Sequence, residues 1–262
     1  MLMKTNSFFD INRLKYLLLR QLSFNYKILL IASGAIMGLL MFIGTMMLLF
    51  SNSTPDQQTI LGMMMPYFFI GGYIFSSVVF SELNSPHRGY LYLTLPASTF
   101  EKLISAWLVC SIGYVLFGSI IVYFINFYYI SIAAAFTSKT VELVNIFSPG
   151  VLKVFGVYMV TQTVFFLGAI YFRSVNFLKT ILALFVLVVI IALYSAILSK
   201  LLFFTSSFNN QWWMNNIGMN HSFDMKNTAE HVIVPIAKVL FWGCTAPFFL
   251  IVSYFRLKER EV

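Results

Sequence analysis

Charge, cysteine and histidine are all scarce in this sequence. Charged residues make up 10% of its 262 residues, and only nine are Asp or Glu; a soluble domain carries roughly a quarter charged residues. The few charges avoid the apolar runs. Lys153, Lys179 and Lys238 sit near run ends, where a lysine stem can reach the membrane surface. A proton- or sodium-coupled carrier needs Asp, Glu or His near mid-membrane as a partner for the ion. None is evident in the runs, which argues against ion-coupled transport. The two cysteines, Cys110 and Cys244, both fall inside apolar runs, so there is no disulfide framework and no metal-ligand spacing. His87, His221 and His231 are scattered, and His221 with Asp224 reads as a solvated pair in a polar loop. The paired His and Glu residues of intramembrane metal hydrolases are absent, which argues against an intramembrane enzyme. No glycine is followed by lysine, so the chain has no phosphate-binding P-loop and is not a conventional ATPase by itself.

What the sequence does have is apolar length. Hydrophobic residues make up 60% of it. They gather into six runs: Ile28–Phe50, Ile60–Phe80, Leu103–Ile125, Leu152–Phe172, Lys179–Leu198 and Val232–Phe255. About 20 apolar residues cross the ~30 Å of a bilayer as a helix. Backbone groups in lipid must satisfy one another, and no run alternates apolar and polar residues as a barrel strand does. The expected fold is therefore all-α, a polytopic membrane protein with six transmembrane helices. Its domains are an N-terminal segment at 1–27, a transmembrane domain at 28–255 and a tail at 256–262. The transmembrane domain includes a loop at 81–102 and an outer segment at 199–231. With the N-terminus inside, twelve Lys and Arg fall on the cytoplasmic side and five outside, so both termini are expected in the cytoplasm. The net charge of +8 is mostly this bias. No single basic face exists, and no nucleic-acid partner is expected.

The first apolar run starts too late and is too long for a cleavable signal peptide. Before it, Ile11, Leu14, Leu18 and Leu22 fall on one helical stripe, with Leu17 beside it, while Arg13, Arg20 and Lys27 recur every seven residues on another face. This predicts a basic amphipathic helix lying among lipid headgroups. Within the runs, Gly34 and Gly38 form a G-x-x-x-G step that suits close helix packing. Gln162 is the most conspicuous mid-run polar residue, and an interhelical hydrogen bond is its expected role. Trp212-Trp213 predicts a return of the outer segment to the membrane surface.

The loop at 81–102 is the longest on the cytoplasmic side. Tyr90 and Tyr92 alternate with Leu91, Leu93 and Leu95, which predicts a stretch that is extended or amphiphilic at the interface. Pro96 disfavours helix at Leu95. Ser98-Thr-Phe-Glu101 then matches a capping box, in which the Ser98 hydroxyl accepts from the Glu101 amide and the Glu101 carboxylate accepts from the Ser98 amide. The box starts a helix that runs straight into the third span. On the residues alone, it serves either to begin that span or to shape the loop for something in the cytoplasm.

Leu-Thr-Leu-Pro-Ala-Ser-Thr-Phe-Glu-Lys, residues 93–102, resembles the "LP-x-S-x-x-E" segment of ABC-2-type ATP-binding cassette permease subunits. In that family the segment follows the second span on the cytoplasmic side. The N-terminal amphipathic stretch and the six-span layout are similar as well. The thin basic run before Pro96, where only Arg88 lies, departs from the family pattern. The resemblance implies a transmembrane permease subunit, an exporter, coupled to a separate ATPase that binds ATP and Mg. It implies a second permease copy or a similar chain, and a location in the cytoplasmic membrane. It places the ATPase contact at Arg88, Pro96, Ser98, Thr99, Glu101 and Lys102, and a secondary contact at Arg173 and Lys179. No residue of this chain is expected to be catalytic. The competing expectation is a non-transporting membrane protein such as a sensor, an immunity factor or an assembly subunit.

Overall fold

A computed structural model describes residues 9–50, 62, 65–84, 89, 90, 92, 94–136, 143, 145–207 and 234–261. Among these residues there is no strand, and nearly all are helical. The elements are α1 (Ile11–Phe50), α2 (Gly72–Val78), α3 (Thr99–Leu108), α4 (Tyr114–Phe136), α5 (Pro149–Tyr171), α6 (Asn176–Ser207), α7 (Val234–Val239) and α8 (Ala246–Glu261). π-helical segments at Tyr67–Gly71, Val109–Gly113 and Leu240–Thr245 lead into α2, join α3 to α4 and join α7 to α8. Among the described residues, five helices are long and apolar enough to cross a membrane: Leu29–Met47, Thr99–Phe136, Pro149–Tyr171, Asn176–Leu198 and Val234–Arg260. The expected second span is represented by a shorter apolar helix, Tyr67–Leu83. Most of its first turns, from Ile60 to Met64, lie outside the described residues, as do Trp212-Trp213 and most of the outer segment.

The chain divides into two compact units, residues 1–177 with 246–262, and residues 178–245. The second unit holds the body of α6 and all of α7. Between Lys179 and Lys200 the sequence of α6 carries no charged residue, the pattern of a helix apolar on every side.

In the first unit α5 is central, packed against α2 and against α8, while α1 packs against α3 and α4. Its core is strongly aromatic, including Tyr67, Phe68, Phe75, Phe80, Tyr114, Tyr158 and Phe166. Glycines make room for these rings. A Cβ on Gly72 would stand 2.2 Å from the Tyr158 ring, and one on Gly44 2.2 Å from the Tyr129 hydroxyl. The expected packing glycines Gly34 and Gly38 behave differently, since a Cβ at either would meet nothing within 4 Å of the chain. Gln162 is fully buried and accepts from the Ser76 hydroxyl of α2 at 2.9 Å, an interhelical bond of the expected kind.

Two tyrosine hydroxyls complete the backbone where the π turns disturb it. Tyr114 donates to the carbonyl of Tyr67 at 2.8 Å, and Tyr158 donates to the carbonyl of Cys110 at 2.8 Å. A π turn shifts the register of the carbonyl ladder, and an apolar surrounding leaves a displaced carbonyl no water to turn to.

α1 runs across the expected division at residue 27. It is one unbroken helix of 40 residues, about 60 Å long at 1.5 Å per residue. No proline or glycine stands between Ile11 and Ser33 to break it, so the segment before the first apolar run continues that run. Its buried seam also differs from the predicted leucine stripe. Ile11 and Leu22 are exposed, whereas Leu17, Gln21 and Asn25, one turn apart, are buried. Asn25 donates to both the Gln21 carbonyl and the Gln21 side chain at 3.1 Å, so the polar pair bonds within itself.

The link from α5 to α6 holds Val175 at a φ of 52°, a left-handed conformation costly for a β-branched residue. Asn176 stabilises the turn by donating to the Ala169 carbonyl at 3.2 Å.

Two substitutions test these contacts, both read by thermal unfolding in detergent. Tyr158→Phe strips the Cys110 carbonyl of its donor and should cost about 1–3 kcal/mol; an unchanged midpoint would count against the tyrosine's backbone role. Val175→Gly removes the left-handed strain and should raise the midpoint, by the equivalent of about 1 kcal/mol. A lower midpoint would show that the valine side chain contributes more than its backbone costs.

Candidate functional site

The loop region between α2 and α3 is assembled from its buried side chains outwards. After α2 the chain makes a 3-10 turn at Ser81–Asn84. Of the two expectations for the stretch that follows, extended or amphiphilic at the interface, the first is not met, since its described residues are helical or turn-like. The Thr94 amide donates to the Tyr90 carbonyl at 3.0 Å, and the Thr94 hydroxyl donates to the same oxygen at 2.9 Å. The reason lies in Tyr92. Its ring is buried, set edge-on to Phe80 at 6.2 Å, and an anchored side chain here draws the backbone into a turn. The ring also receives two cations. The Arg20 guanidinium lies 5.4 Å and the Lys102 ammonium 5.9 Å from its centre, within the range of cation–π attraction.

Past Pro96 the capping box forms as the sequence predicts. Glu101 donates its amide to the Ser98 hydroxyl at 3.2 Å, and its carboxylate accepts from the Ser98 amide at 2.9 Å. The same carboxylate does more than cap. Its other oxygen accepts from the Asp10 amide at 2.7 Å, ahead of α1, and stands 3.4 Å from the Arg13 guanidinium. Glu101 is fully buried, while the Arg13 side chain is 30% exposed. A second pair lies one seven-residue step along α1, where Arg20 donates to Glu82 at 2.9 Å. The N-terminal arm of α1 is thus fastened to both ends of the loop.

The residues expected to meet a partner separate into two sets. Glu101 and Lys102 are buried within the chain. Ser98 and Thr99 are half-buried, Pro96 is exposed, and Arg88 lies outside the described residues. Among the described residues of the loop, Tyr90, Thr94 and Pro96 are exposed, and of these Pro96 was among the residues anticipated. Arg173 and Lys179 are both exposed. The two arginine clamps were not anticipated, yet a signal for them was present. Glu82 and Glu101 are the only acidic residues in the loop, and Arg13 and Arg20 share one face of the helix that precedes it. Among the described residues no three His, Cys, Asp or Glu side chains gather in a way that would hold a metal.

No family model, curated protein or solved structure matches this chain.

The clamp makes a direct prediction. Glu101→Ala leaves the Ser98 and Asp10 amides and Arg13 without their acceptor, a loss of about 3 kcal/mol for a broken buried pair. The arm of α1 should then loosen from α3. A cysteine at the buried Leu17 position, in a Cys244→Ser background, should label with a thiol reagent at least tenfold faster when Glu101 is replaced. Equal labelling rates would mean that Glu101 only caps α3.

Proposed function

We propose that this chain is the membrane-spanning permease subunit of an ATP-binding cassette transporter of the ABC-2 type, acting as an exporter. In this reading the apolar helices cross the cytoplasmic membrane, with the start of α1, the 81–102 loop and the end of α8 on the cytoplasmic side. ATP and Mg are bound by a separate ATPase, and a second copy or a similar chain completes the solute path. The observation that carries the reading is the shape of the loop. A capped helix start, a buried tyrosine and two ion pairs anchor its described residues, with Tyr90, Thr94 and Pro96 exposed. Ordering a loop costs about 1–2 kcal/mol per residue in backbone entropy, and a loop that only linked two spans has no need of that outlay.

Burial assigns different roles within the loop. Tyr90, Thr94 and Pro96 form the contact with the ATPase. Glu101 and Lys102 transmit, because they join the loop to α1 and α3 and do not face the partner. Glu101→Lys acts through the clamp, and Pro96→Asp acts at the surface.

One observation favours the non-transporting alternative. The Glu101 carboxylate is matched by the Ser98 and Asp10 amides and by Arg13, so the box is also complete as the start of an apolar helix. Purification from the native membrane in gentle detergent separates the two readings. A stoichiometric P-loop partner that is reduced at least tenfold by Pro96→Asp, with the protein still folded and inserted, supports the transporter. Recovery of other intact membrane complexes with no ATPase on this chain would overturn it.

A further inference from the structure

The ends of α5 and α8 gather cations that the proposed coupling to an ATPase does not use. Arg256 lies over the Tyr171 ring, with its guanidinium carbon 5.0 Å from the centroid. Arg260 donates to the Tyr171 carbonyl at 3.3 Å. Arg260 is also close enough to feel the charges of both Arg256 and Arg173. Tyr171 therefore acts as a post that holds two guanidinium groups from α8, with Arg173 just beyond it on the α5–α6 link. The carboxylate paired in this group is Glu259, which takes one amino group of Arg256 in an exposed contact. The Nε of Arg256 has no hydrogen-bond partner. Each guanidinium carries five donors in a planar fork, so most of the donor capacity is unspent.

We propose that Arg173, Arg256 and Arg260 form a site for the phosphate of an anionic phospholipid at the inner membrane surface. Like charges held side by side call for a counter-anion, and Arg forks match phosphate oxygens in pairs. Basic pockets between membrane helices on the cytoplasmic side are suited to such headgroups. A lipid fits better than free phosphate because of the surface that leads to the cluster. Phe248, Ile251 and Phe255 are 60%, 56% and 57% exposed on α8. Their three- and four-residue spacing puts them on one stripe, which reaches Glu259 one turn further on, with Arg256 and Arg260 each one residue round the helix from it. Acyl chains lie along that stripe while the phosphate meets the guanidinium groups. The inference rests on α5 and α8 crossing the membrane, and it is independent of any ATPase. Arg173, which the family resemblance offers as a secondary ATPase contact, acts here on lipid.

The test uses the full chain in nanodiscs of phosphatidylcholine with a minor share of phosphatidylglycerol. After extraction into detergent, native mass spectrometry counts the retained lipid. Wild-type protein should keep phosphatidylglycerol in preference to phosphatidylcholine. Arg173→Gln alone, at an exposed position, should weaken retention about fivefold, the effect of one interfacial cation. The triple variant R173Q/R256Q/R260Q should abolish the preference, and Lys15→Gln, elsewhere on the surface, should leave it intact. Equal retention of both lipids, or an unchanged preference in Arg173→Gln, would overturn the proposal. So would displacement of the lipid by inorganic phosphate as readily as by short-chain phosphatidylglycerol, which would indicate a simple anion site. Carbonate washing of native membranes keeps the two levels of inference apart. A chain stripped by carbonate fails the membrane reading itself, whereas a chain that stays embedded without a lipid preference fails only this one.

Discussion

The carboxylate of Glu101 is the point on which the loop end of the first unit depends. A buried carboxylate is costly unless hydrogen bonds and an opposite charge replace its water. Here two backbone amides and the Arg13 guanidinium do so, and each comes from a different part of the chain: the cap of α3, the residue before α1 and the first turn of α1. Removing any one of the three leaves the buried carboxylate short of a partner. Helix start, loop and N-terminal arm are stable together or not at all. The Arg20–Glu82 pair and the ring of Tyr92 extend the same logic to the far end of the loop.

Deeper in the first unit the constraint changes from charge to backbone. The π segments before α2 and between α3 and α4 disturb the regular hydrogen-bond ladder, and in both places a tyrosine from a neighbouring helix supplies the donor. Aromatic side chains are suited to this because one end packs and the other bonds. Gly72 shows what that arrangement requires of its surroundings, since the Tyr158 ring occupies the space any side chain there would need.

Much of the architecture could be read in the sequence because long apolar runs report helices in lipid almost without regard to tertiary context. Residues 93–102 yielded their capping box for a related reason, since the box is local and its bonds span only three residues. Boundaries were less legible. The join between the N-terminal arm and the first apolar run was drawn from a change in composition, whereas helices end where proline, glycine or a cap ends them, and none stands there. The alternation at Tyr90–Leu95 suits either an extended or an amphiphilic stretch. Alternation cannot show that Tyr92 is anchored by Phe80 and by Arg20, partners distant in sequence. Burial of Glu101 was hidden for the same reason. From sequence the carboxylate looked like the outward end of a cap, and only the approach of Asp10 and Arg13, some ninety residues earlier, turns it inward. The acidic pair in the loop and the seven-residue arginine spacing held that information, but pairing them requires knowing that α1 returns to the loop.

The continuity of α1 has a mechanical consequence. About half of its length matches the thickness of a hydrocarbon layer and the other half projects past it as an arm of roughly 30 Å. A helix without a hinge behaves as a lever. A tilt of about 10° in the embedded half swings the far end of the arm by about 5 Å, an estimate from that arm length alone. The far end is where Arg13 grips Glu101, so the loop cannot stay still when the embedded half leans. The same rod carries force the other way. Whatever pushes on the loop obtains purchase on the apolar half of the helix through one continuous column of backbone hydrogen bonds.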